Sequence, residues 1–95
     1  MRIATLGSTG VYMTKHATER ARQRGVTVGK IAACILWLGT EKLEELAGND
    51  IIVHSEEAGI SIVATVERKR VKIITVVAKA HTFVTDVDKV RITIA

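Results

Sequence analysis

The sequence predicts an α+β domain in which N-terminal helices pack on one face of an antiparallel sheet. Three observations carry this. Apolar residues between positions 14 and 47 recur at helical spacing, the period shortens to two after position 50, and residues 71–78 are apolar on both faces, as a central strand is.

Residues 2–6 are read as a short strand, and Gly7-Ser8-Thr9-Gly10 as a turn of small residues. Val11, Tyr12 and Met13 then lead into a first helix, with Thr14 as its N-cap, Gly25 as its stop and Ala17 and Ala21 as its apolar interior positions. Such a helix can approach a sheet closely, yet it buries little area. Thr27 caps the second helix, where Val28, Ile31, Ile35 and Leu38 repeat at helical spacing and Gly39 ends the run. Trp37 lies beside that stripe and is expected to pack. Residues 40–47 add a further helical turn or two, with Leu43 and Leu46 inward and Glu41, Glu44 and Glu45 outward, before Gly48-Asn49-Asp50 closes the helical half.

Residues 51–54 form the next strand, and Glu56-Glu57-Ala58-Gly59 a turn. Residues 60–66 follow, with Ile60, Ile62, Ala64 and Val66 on one face. Glu67-Arg68-Lys69-Arg70 is a second turn. The strand at 71–78 carries Ile73, Ile74, Val76 and Val77, and a last one at 90–94 alternates Val90, Ile92 and Ile94 with Arg91 and Thr93. No repeat, low-complexity tract or interdomain linker is visible.

Ninety-five residues, 47% hydrophobic and 25% charged, suit one soluble globular domain, read as residues 1–95. The longest apolar run, residues 31–38, is too short to span a bilayer, and no basic-then-apolar leader opens the chain, so a cytoplasmic protein with no membrane partner is expected. Cys34 is the sole cysteine and is expected as a buried thiol. Three histidines and one cysteine, far apart, give no metal-ligand spacing, and no cofactor motif is present. The early glycines lack the lysine and hydroxyl of a phosphate loop, and no acyl-transfer nucleophile is marked. His54, within a strand, is expected to be structural.

Lys and Arg exceed Asp and Glu, giving a net charge of +4 that favours an anionic partner, with nucleic acid the leading candidate. One Trp, one Tyr and one Phe cannot build a multi-base stacking platform, so binding would rest on phosphate contacts. The most specific local pattern is His16, Arg20 and Arg24 at positions i, i+4 and i+8, which places an imidazole and two guanidiniums along one helix face. Such a face either is solvated or holds an anion beside a proton-transfer group.

The run Val11-Tyr12-Met13-Thr14-Lys15-His16-Ala17-Thr18-Glu19-Arg20-Ala21-Arg22-Gln23-Arg24-Gly25-Val26-Thr27, the helix closing on Gly39 and the strand Val71-Lys72-Ile73-Ile74-Thr75-Val76 together resemble a family of small bacterial and phage domains. Its members share a "His-Ala, Arg, Arg-Gly" helix ahead of an antiparallel sheet. They are grouped with the superfamily of barnase, EndoU, tRNA-cleaving colicins and RelE, metal-independent ribonucleases often deployed as toxins. The resemblance spans roughly residues 11–78. Residues 2–10 and the tail from Lys79, with His81, Thr82, Thr85, Asp86 and Asp88, have no counterpart in it.

The resemblance implies a RelE-like or barnase-like fold and a toxin-like, metal-independent endoribonuclease that binds RNA, with a protein inhibitor or host protein as a further partner. Metal-free RNA hydrolysis needs a base for the 2′-hydroxyl, cations for the non-bridging oxygens and an acid for the leaving oxygen. His16 is the candidate base or acid. Arg20 and Arg24 would clamp phosphate, and Lys72, Lys79 or His81 would complete the site. Lys15, Arg22, Arg68, Lys69, Arg70, Lys72 and Lys79 would extend a phosphate track. Blander roles stand beside these: capping or packing for His16, ion pairs with Glu19 or the Glu56-Glu57 turn for the two arginines, an exposed loop for His81. The alternative function is a non-catalytic phage or plasmid regulatory protein that grips nucleic acid or a host protein through the same basic helix. An antitoxin-like inhibitor is a third reading.

Overall fold

A computed structural model describes residues 1–77 and 90–94. Two strands, β1 (Arg2–Leu6) and β2 (Thr9–Met13), precede two helices, α1 (Lys15–Gln23) and α2 (Val28–Leu46), and four strands follow: β3 (Asn49–Ser55), β4 (Ile60–Glu67), β5 (Arg70–Val77) and β6 (Val90–Ile94). Lys79 and His81 lie outside the described residues.

The helix limits are set by the expected caps. Thr14 Oγ1 accepts from Ala17 N at 3.0 Å and Thr27 Oγ1 from Lys30 N at 3.2 Å, satisfying backbone donors that each first turn leaves free. At the end of α1 the chain turns through Gly25 at φ 67°, with Val26 N donating to Ala21 O and Gly25 N to Arg22 O, the paired bonds of a Schellman motif. Gly39, at φ 81°, breaks α2 without ending it, so the two expected helical segments form one kinked element.

Among the described residues, all six strands join one sheet in the order β1-β2-β5-β4-β3-β6. The sheet is mixed, which corrects the expectation of an antiparallel one. β1 with β2, β5 with β4 and β4 with β3 are antiparallel, whereas β2 with β5 and β3 with β6 are parallel. The cause is the helical crossover. Carrying the chain from β2 to β3 over one face leaves those strands pointing the same way, and the β3-β4-β5 meander then returns β5 beside β2 in parallel. β2 itself is a second correction. Thr9 and Gly10 are strand residues rather than a turn, and Val11-Tyr12-Met13 is not a lead-in to the helix. Asn49 and Asp50 likewise belong to β3.

Both helices cover the same face. Ala17 and Ala21 of α1 and Ile31, Cys34, Ile35, Leu43 and Leu46 of α2 share one core with Val11, Met13, Ile51, Val53, Ile62, Ala64, Val66, Val71, Ile73 and Val76. The small alanines let α1 lie close over β5. β5 is an inner strand, as expected. Its run of apolar residues reflects a bulge as much as burial, because the register shifts between Val63 and Ala64, so that Val71, Ile73 and Val76 all face the core while Ile74 and Val77 are half-buried. Trp37 departs from expectation: it is 66% exposed, one position off the buried stripe of α2.

The opposite face has two parts. Over β3 and β4 it holds buried Ile52, His54, Ser61 and Val63, and over β1, β2 and the start of β5 it is basic and open. No helix among the described residues is long and apolar enough to cross a membrane.

Candidate functional site

On α1, the candidate residues divide. Arg20 Nε donates to His16 Nε2 at 3.4 Å, and Arg20 Nη1 reaches Gln23 Oε1 at 3.3 Å, on the exposed side of the helix. In this contact the acceptor lone pair of the imidazole is engaged by the Arg20 N–H, so Arg20 must turn away before Nε2 can take a proton. Arg24 does not extend this pair. Its Nη1 donates to the Val76 carbonyl of β5 at 2.8 Å, tying the end of the helix to the sheet. The ion pairs considered for Arg20 and Arg24 do not form among the described residues. Nor does His16 cap the helix, a role filled by Thr14. Lys15 and Arg22 are exposed.

The basic run at the start of β5 is also split, by strand alternation. Val71 and Ile73 face the core beneath α1, so Arg70 and Lys72 lie on the other face, and Lys72 does not join His16 as expected. Arg68 and Lys69 turn away from both. With Ser8, Thr9, Leu43, Glu44, Ala47 and Glu67 they line a recess of about 410 Å³ in which two carboxylates accompany the two cations.

Arg70 and Lys72 instead meet two residues that sequence reasoning missed. Arg2 of β1 pairs in register with Tyr12 of β2, and Tyr12 with Lys72 of β5, placing all three in one row across the helix-free face. The guanidinium carbons of Arg2 and Arg70 each lie 5.6 Å from the centre of the Tyr12 ring, within cation–π range, and Arg2 Nη2 donates to the phenolic oxygen at 3.2 Å. Tyr12, Arg70 and Lys72, with Met1, Met13 and Thr14, line a recess of about 320 Å³. Among the described residues no carboxylate pairs with Arg2, Arg70 or Lys72; the ion pair found is Lys42 with Glu45 on α2. The available signal was the alternation of Val11 and Met13 around Tyr12, hidden by the adjacent glycines.

Other chemistry-bearing groups are accounted for by packing. Cys34 is 5% exposed, and its thiol is raised above the ordinary value, chiefly by burial and against an opposing hydrogen bond from Ser55, which keeps it protonated. It borders a recess of about 350 Å³ with Trp37, Ala58 and Ile94. His54 is 7% exposed, its Nδ1 sits 2.8 Å from Ser61 Oγ, and its Nε2 has no partner among the described residues. The described residues contain no group of His, Cys, Asp and Glu placed to hold a metal ion.

His54 yields a pH prediction. Burial first, then the positive charge of Arg91, holds it below its ordinary value of 6.5, so the unfolded chain takes up a proton more readily than the folded one. Its contribution to stability is complete above pH 6.5 and falls as the pH drops below that value. Melting temperatures at pH 7.5 and pH 5 should therefore differ more in the parent than in His54→Gln. An equal difference would remove His54 from the account.

No protein-family model, curated protein or solved structure matches this chain.

Proposed function

We propose that this protein binds RNA and cleaves it without a metal ion, in the manner of the RelE-like and EndoU-like ribonucleases, with His16 as the proton-transfer group. The observation that carries the binding reading is the charge of Arg2, Arg70 and Lys72 beside Tyr12 on an open sheet face, where no carboxylate among the described residues pairs with them. Cations without carboxylate partners favour an anion, and a phosphate chain presents anions at regular intervals. The cleavage reading rests on the His16–Arg20 contact, which sets a guanidinium suited to a non-bridging oxygen beside an imidazole whose Nε2 would accept the 2′-hydroxyl proton once Arg20 turns to phosphate.

A non-catalytic regulator is the second reading, and one observation favours it. Among the described residues, His16 touches Arg20 and no second acid or base, whereas cleavage needs both. Incubation with total RNA and tRNA in EDTA, with mapping of new ends, separates the two readings. Cyclic-phosphate ends that vanish in His16→Ala support the enzyme; binding without cleavage supports the regulator.

The binding reading also predicts a pattern of salt dependence. Affinity for single-stranded RNA should fall steeply with salt, and Arg20→Ala, Arg70→Ala and Lys72→Ala should each reduce the slope of log K against log[salt] by about 0.7. Arg68→Ala, beside Glu44 and Glu67, should change it less. Affinity indifferent to salt would point to a protein partner.

A further inference from the structure

We infer that the recess beside Tyr12 is a binding site for a phosphate monoester, the terminal phosphate of an RNA strand or of a free nucleotide. The inference rests on the reading of the protein as an RNA binder and narrows it from the chain's backbone to its end. Its donor set is the first argument. Arg70 and Lys72 line the recess with Tyr12, Arg2 lies over the same ring beside it, and none of the three is neutralised by a carboxylate among the described residues. A backbone diester offers one negative charge and two free oxygens. A monoester carries close to two charges at neutral pH and three strong acceptor oxygens, a closer match to the two cations that line the recess and the phenol between them and Arg2. Because Arg2 Nη2 donates to the Tyr12 oxygen, the phenolic hydrogen remains free to make a further bond to phosphate.

The second argument is that the site is held ready. Both guanidiniums lie over the same ring, and the ring rests on Gly10, where a Cβ would come within 2.6 Å of the Tyr12 Cε2 atom. Only a residue without a side chain leaves room for the ring in this position. Cations fixed in this way lose less freedom on binding than cations on free side chains. The recess also has an apolar side. Met1 and Met13 bound it, and the hydroxyl of Thr14, already accepting from Ala17 N and set toward the Ile74 carbonyl at 3.4 Å, is occupied with the backbone.

The test compares one 2′-O-methyl oligonucleotide, which cannot be cleaved, carrying a 5′-phosphate, a 3′-phosphate or hydroxyls at both ends, together with a nucleoside monophosphate and inorganic phosphate. Affinity is read by fluorescence anisotropy or calorimetry, and site occupancy by the ring resonances of Tyr12, the one tyrosine of the chain. At least one phosphorylated end should bind about tenfold more tightly than the hydroxyl form, the gain of one or two charge-assisted hydrogen bonds, and should shift the Tyr12 resonances. Arg70→Gln should erase that preference. Gly10→Ala, which displaces the ring, should reduce it in a protein whose melting curve shows it folded, and Tyr12→Phe should reduce it less. Equal, tight binding of all three strands would overturn the terminal-phosphate site and leave the RNA reading standing. Binding of the nucleoside monophosphate at Tyr12 with no affinity for any strand would keep the site and overturn the RNA reading. Inorganic phosphate binding as tightly as the nucleotide would place the recognition in the phosphate alone. No binding by any ligand would overturn both.

Discussion

RNA cleavage by His16→Ala is expected to fall by ~10²–10⁴-fold, the usual contribution of a general acid or base, while its unfolding free energy stays within about 1 kcal/mol of the parent. The asymmetry follows from where the side chain sits. His16 is exposed, it touches Arg20 across one helical turn, and the cap of α1 belongs to Thr14. Nothing in the core depends on it. Circular-dichroism melts run beside cleavage in EDTA give the answer. A variant that folds and still cleaves places the base elsewhere, with His81 the next residue to change. A variant that unfolds gives His16 a structural role that its exposure does not suggest.

Ile35→Ala is expected to show the reverse, a loss of roughly 2–5 kcal/mol of stability with activity lowered only through unfolding. Ile35 is 0% exposed, lies one turn beyond Ile31 on the buried side of α2, and belongs to the core that joins both helices to the sheet. Trp37→Ala is the matching control. At 66% exposure it should change stability by less than about 0.5 kcal/mol despite the larger deletion. Denaturant melts of the two variants would check the contrast, and similar losses in both would mean that Trp37 packs after all.

Local chemistry was readable from the chain, and long-range pairing was not. Thr14, Thr27 and Gly25 mark helix limits because each acts on the backbone within a few residues of itself. Gly39, expected to end the second helix, leaves helical geometry at that point but only kinks an element that continues to Leu46. The strand Thr9–Met13 escaped because its first residues are small and follow Gly7-Ser8, and because the partner that makes it an inner strand, Val71 opposite Val11, is distant in sequence. The candidate site divides the same way. His16 and Arg20 are four residues apart on one helix, so their contact is a matter of helical geometry. Arg2, Tyr12, Arg70 and Lys72 meet only through two strand registers, one of them parallel, and composition alone hides such a meeting. The run Arg68-Lys69-Arg70-Lys72 looked like one patch, yet a turn and a change of face divide it between two recesses.

The parallel seam between β2 and β5 has a kinetic meaning. β3, β4 and β5 follow one another in sequence and can pair as soon as they are made, whereas the β1–β2 hairpin must close a loop containing both helices before Gly10 to Met13 meet Arg70 to Ile73. The hairpin is therefore the natural unit to dock late and to open first, as one cooperative piece. Arg2 and Tyr12 travel with that piece, and Arg70 and Lys72 stay behind. An anion bound between them would act as a latch, slowing hydrogen exchange along β1 and β2 while leaving the β3–β4 amides at their own pace.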